Sequence, residues 1–140
     1  MLMLTAPQRD LVRDKGTKFG RGLIGLLFVA TGLNMLFFSG PANTASFFES
    51  IGIPLAGLVV WLVIAVKLVA GGAIIIGKRV GLASVTLIGF TVLATMVAHR
   101  DLSDPNLFKN LAIIGGLLYL MAYGPGGTNT RLAPLEEKQN

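Results

Sequence analysis

Val59–Gly77 reads VVWLVIAVKLVAGGAIIIG, apolar or glycine at every position except Lys67. The whole apolar run, Pro54–Ile76, has the length of a helix that crosses ~30 Å of hydrocarbon, which takes ~20 residues. Lys67 stands about 9 residues from the Ile76 end and about 13 from the Pro54 end, or roughly 14 and 20 Å along a helix axis. A lysine facing lipid at that depth costs roughly 2.5–3.5 kcal/mol on insertion scales. Helical side chains lean toward the helix N-terminus, here the more distant edge, so snorkelling is difficult unless the membrane thins. Such a cation should face the bundle, another subunit or water.

Three more runs have the same character: Phe19–Phe38, Val80–Ala98 and Pro105–Tyr123. In lipid every backbone group must be satisfied within the segment, and helices do this. The expected fold is all-α: a bundle of four transmembrane helices. The two central spans are joined only by "GKR" (77–79) and must form an antiparallel hairpin. The 140-residue chain divides into a basic segment (1–18), the bundle (19–126) and a polar tail (127–140).

Composition agrees. The chain is 53% hydrophobic and 14% charged, with a mean hydropathy of +0.71, whereas soluble domains carry about 25% charged residues. The net charge of +5 lies at the ends of apolar runs and not on one patch, which favours membrane orientation over nucleic-acid binding. With no cysteine and one histidine, the chain supplies no disulfide, Cys-ligated cluster or bis-histidine haem. Any electrons would have to travel on a partner or a bound small molecule.

Basic residues cluster on alternate sides. Arg9, Arg13, Lys15, Lys18, Arg21, Lys78, Arg79, Arg131 and Lys138 fall on one side, against Arg100 and Lys109 on the other. The positive-inside rule then puts both termini in the cytoplasm. The first span starts like a signal peptide, but its apolar region exceeds the usual 7–15 residues and "PANTAS" offers no cleavage site after it. It is expected to stay as a span. In "NTASFFESIGIP", Phe47, Phe48 and Ile51 share one side of a short interfacial helix in the first periplasmic loop. Gly52 suits its C-terminal cap, and Pro54 can open the next helix. Asp104 is a plausible N-cap for a helix starting at Pro105. Gly25, Gly32, Gly71, Gly72, Gly115 and Gly116 are the expected points of close helix approach.

"GRGLIGLLFVATGLNMLFF", "SFFESIGIPLAGLVVWLVIAVKLVAGGAIIIGKRVGLAS" and "LFKNLAIIGGLLYLMAYGPG" together resemble the DoxX family of small four-helix membrane proteins, over about residues 19–126. The resemblance implies a four-span bundle in a bacterial cytoplasmic membrane. Some relatives belong to a thiosulfate:quinone oxidoreductase and others to membrane-associated oxidoreductase assemblies. Family members commonly carry an acidic residue at the turn before the glycine pair, where this chain has Lys67. The local charge is reversed, so an acid-dependent activity does not carry over.

No Asp or Glu lies within a span, so Lys67 lacks an internal carboxylate partner. Three fates compete: hydrogen bonds to hydroxyls and carbonyls around Thr31, Thr91 and Gly115; an acid or lipid phosphate from a partner; or an anionic or quinone-like ligand. Asn34, Asn110, Thr95, His99 and Trp61 form a second group toward the other edge. They suit either a polar pocket for a quinone headgroup or a hydrogen-bonded layer joining the first and fourth spans. His99, Asp101 and Asp104 match no known metal-ligand spacing, so no metal site is assigned. No nucleophile–base pair, phosphate loop or paired carboxylate appears. The expected role is an accessory, noncatalytic subunit of a larger membrane complex, in contact with lipid and other membrane subunits. A quinone-contacting component and a small-anion carrier using Lys67 are the alternatives.

Overall fold

The computed structural model describes residues 4–126. Five helices follow one another: α1 (Ala6–Phe38), α2 (Pro41–Ser50), α3 (Ala56–Ile76), α4 (Val80–Ala98) and α5 (Pro105–Tyr123). All except α2 are long and apolar enough to cross a membrane. There is no strand among the described residues. The polar tail 127–140, with Arg131 and Lys138, lies outside them.

The local chemistry explains most helix ends. At α1 the Gln8 side chain accepts the Thr5 backbone N–H at 2.8 Å, so the helix starts well before Phe19 and takes in most of the basic segment. Wider π-turns interrupt it at Val12–Gly16 and Asn34–Phe38. Gly52 closes α2 at φ +84°, its N–H donating to Glu49 O at 3.0 Å. The Asp104 carboxylate accepts the Asn106 N–H at 2.8 Å and caps α5. One expectation needs correction. Pro54 does not open α3, because Leu55 behind it takes a left-handed conformation (φ +53°) and the helix begins at Ala56.

Two helix pairs build the bundle: α1 against α3 and α4 against α5, joined along α3 and α4, while α1 and α5 barely meet. Lipid tails are as apolar as leucine, so close packing must hold the pairs together. On α1, Arg21, Gly25, Phe28, Gly32 and Met35 recur at alternating steps of four and three, and on α3 so do Val60, Ile64, Lys67, Gly71 and Ile74. These two seams face each other antiparallel. A Cβ on Gly25 would lie 2.7 Å from Gly71 O, and one on Gly71 would lie 3.0 Å from Phe28 Cβ. Glycine is what lets the backbones come this near. Gly32 in turn lies against the root of Lys67, and Gly116 against Ile24. Gly72 and Gly115 have open space where a Cβ would be, so they are not internal packing points. Each sits beside another glycine, Gly71 or Gly116, that takes the contact instead.

The densest core gathers at the Gly77 end, where Phe28, Ile74, Val80, Leu87, Leu117 and Leu120 are buried together. Arg21 ties this end shut. Its guanidinium donates to Pro125 O at 3.0 Å and to Ile75 O at 3.3 Å, carbonyls beyond the end of α5 and in the last turn of α3. Basic side chains suit such carbonyl-rich helix ends. The opposite half of the bundle is not filled in this way.

Candidate functional site

Where the core stops, a cleft of about 900 Å³ opens between α2, α3 and α4. Its walls are largely apolar: Phe47, Phe48 and Ile51 from α2 and its end, Val59, Val63 and Val66 from α3, Phe90, Leu93 and Val97 from α4. Lys67 lines the cleft at its deep end, and His99 lines it at the end of α4.

Lys67 reaches toward the N-terminal side of α3, as helical geometry requires. Its Nζ lies 3.5 Å from Met35 Sδ and 5.4 Å from the Phe90 ring centroid. A thioether sulfur is a weak acceptor, and a cation–π contact of this length is worth about 0.5–2 kcal/mol. An ammonium has three N–H donors. Within the described residues, Met35 is the only hydrogen-bond acceptor of Lys67. The hydroxyls expected to satisfy it are engaged elsewhere: Thr91 donates to Leu87 O at 2.7 Å and Thr31 to Phe28 O at 3.1 Å. Each threonine bonds its own helix because that carbonyl is nearer than any neighbour. Lys67 therefore faces the cleft with Met35 Sδ as its one acceptor among the described residues.

At the other end His99 Nδ1 lies 2.5 Å from Asp104 Oδ2, while Asn106 Nδ2 donates to Asp104 Oδ1 at 2.9 Å. Lys109 Nζ donates to Asn106 Oδ1 at 2.7 Å, so the network runs from the cleft wall onto α5. The Asn106 backbone N–H, and then the His99 hydrogen bond, hold the Asp104 carboxyl below the usual carboxylate range. Asp101 is lowered chiefly by the Ser103 backbone N–H.

The second polar group is brought together only in part. Asn110 is buried and donates from Nδ2 to Thr95 Oγ1 at 2.9 Å, joining α4 to α5 rather than the first span to the fourth. Asn34 is exposed, and among the described residues its side chain bonds only locally, accepting from Ser39 Oγ at 2.9 Å. Trp61 is 55% exposed and does not line the cleft. The cause is register. Asn34 and Trp61 fall beside, not on, the seams of α1 and α3. His99 alone of this group shares the cleft with Lys67. Sequence reasoning did not single out Met35 or Phe90, although Met35 continues the Arg21–Gly32 seam by three residues. Nor did it give Arg21 more than an orienting charge.

Comparison with curated proteins and with solved structures gave no match. The DoxX family model matches residues 16–100, which takes in α1 from its first π-turn, the cleft helices α2, α3 and α4, and Lys67 and His99. α5 lies beyond the matched stretch. With more than half of the sequence covered, including every helix that lines the cleft, the chain belongs to the DoxX family.

Proposed function

We propose that this protein is an accessory subunit of a membrane complex, and that its cleft contacts a quinone-type molecule. The observation that carries the reading is Lys67, a cation with one weak acceptor at the deep end of an apolar cleft of about 900 Å³. That volume falls within the ~300–1,000 Å³ of small-molecule sites, which pair apolar walls with a few placed polar groups. A quinone ring offers a carbonyl oxygen to the Lys67 ammonium, and a prenyl-like tail suits the Val, Phe and Leu walls that run toward His99. Within this chain the cleft would bind and position. The electrons would pass between the quinone and a partner.

The subunit role draws support from the outer faces. Gly72 and Gly115 are unpacked within the bundle, and Phe108, Leu111 and Tyr119 project from α5. Small residues on outward faces suit close approach by helices of other chains. The excess of basic residues on the Gly77 side supports a cytoplasmic position for that side in a bacterial inner membrane, with α2 along the periplasmic interface. Transport of an anion by Lys67 has no feature in its favour beyond the cation itself.

The test is quinone content after purification in mild detergent. The wild type should retain near-stoichiometric quinone, and Lys67→Met should lose most of it while remaining folded. Equal retention in both, or none in the wild type, rejects the reading. A co-purifying partner lost on Gly115→Leu would support the subunit role.

A further inference from the structure

A second depression lies along the α3–α4 contact and runs from the level of Ala65 toward the Gly77 turn. It holds about 420 Å³ and is lined by Ala65, Val69, Ala70 and Ala73 of α3, Leu82 and Ala83 of α4, and Arg79 of the turn. The floor is alanine, with Ala70 7% and Ala83 6% exposed, and the rims are Val69 and Leu82, 73% and 63% exposed. Small residues between larger ones make a trough. Along α3 it spans roughly 12 Å, from Ala65 to Ala73.

Arg79 stands at one end of this trough. It occupies the left-handed region at φ +50°, a conformation L side chains rarely adopt, immediately before α4 begins. Lys78 adjoins it. Among the described residues neither makes a salt bridge, and the only such pairs are Lys18–Asp14 and His99–Asp104. We infer that the trough seats one acyl chain of an anionic phospholipid whose phosphate is held by Arg79, with Lys78 adding charge.

The dimensions suit a lipid chain: about 420 Å³ along roughly 12 Å of α3 takes an extended hydrocarbon chain laid on the alanine floor. The charge decides the headgroup. A planar guanidinium pairs with phosphate through two parallel N–H donors, and basic pockets between transmembrane helices hold anionic lipid heads. The trough adjoins the larger cleft at Val66 and Thr86, which line both, but it contains neither Lys67 nor His99. The inference therefore stands or falls apart from the quinone reading.

Native mass spectrometry of the full chain, titrated with phosphatidylglycerol or phosphatidylcholine, tests it. One basic residue near the headgroups should favour the anionic lipid about fivefold. Arg79→Gln should abolish most of that preference, Arg79→Lys should keep part of it, and Lys67→Met should leave it unchanged. Ala65→Trp, which fills the trough away from Arg79, should lower retention of both lipids. Equal retention of the two lipids by the wild type, an unchanged preference in Arg79→Gln, or full retention by Ala65→Trp would each overturn the proposal. Helix content by circular dichroism keeps a misfolded variant from being scored.

Discussion

Gly25→Ala should loosen the bundle, although it adds only one methyl group and alanine is the better helix former. The new Cβ would stand 2.6 Å from Ile75 Cγ1, 2.7 Å from Gly71 O and 3.1 Å from Ile75 N. A side-chain methylene can rotate away. The Gly71 carbonyl and the Ile75 amide cannot, because they belong to the backbone ladder of α3. Ordinary contact begins near 3.4 Å, so α1 must withdraw by about 0.7 Å at this turn. A gap of that size forfeits a quarter to a half of the dispersion energy of the contacts it opens. Overpacking costs about 1–3 kcal/mol, and the gain in helix propensity returns up to ~1 kcal/mol, leaving a net loss of up to ~2 kcal/mol and a deficit of about 1–3 kcal/mol against a glycine-to-alanine change in open space. Gly72→Ala is the matched control, since its Cβ meets nothing within 4 Å. Unfolding in mixed micelles by increasing dodecyl sulfate, followed by circular dichroism, measures both. If Gly25→Ala were as stable as Gly72→Ala, α1 and α3 would not be in backbone contact and the seam described above would be wrong.

Other outcomes follow from particular contacts. Arg21→Met removes two charge-assisted hydrogen bonds, to Pro125 O and Ile75 O, and should lower the melting temperature by an amount equivalent to about 1–3 kcal/mol. Leu55→Asn should raise stability by up to ~1 kcal/mol, because Leu55 is exposed at φ +53° and asparagine tolerates that conformation. The Asp104 carboxyl is depressed in the fold, so its contribution is fully present above the ordinary carboxylate value of 3.8 and is lost as pH falls below it. A melting-temperature profile through that acid range should therefore flatten in Asp104→Asn, and an unchanged profile would remove Asp104 from the account.

Much of the architecture was readable from hydropathy alone. Val80–Ala98 and Pro105–Tyr123 are bounded by a Gly-Lys-Arg turn and an Asp-Pro cap, and those local signals set the observed ends. The start of α1 was missed because basic residues interrupt the apolar run without interrupting the helix. At the site, the depth of Lys67 showed that it needed shielding but not by what. Depth follows from counting residues, whereas contact depends on which 100° of a helix faces which neighbour. Hence Thr31 and Thr91, at suitable levels, turned out to serve their own helices, and Met35 and Phe90 stand beside the ammonium. For the same reason Asn34 and Trp61 failed to join Asn110, which found Thr95 across the α4–α5 contact instead.

That α1 grips α3 and α4 grips α5, while α1 and α5 scarcely touch, has a consequence for biogenesis. Each pair consists of consecutive spans, so each can zip together as soon as its second member leaves the ribosome, without waiting for the rest of the chain. The α3–α4 join is then left to be made, with the smaller α1–α5 contacts at Arg21 and Gly116. Residues 1–78 and 79–140, translated as separate polypeptides, should then find each other in the bilayer as two preformed halves.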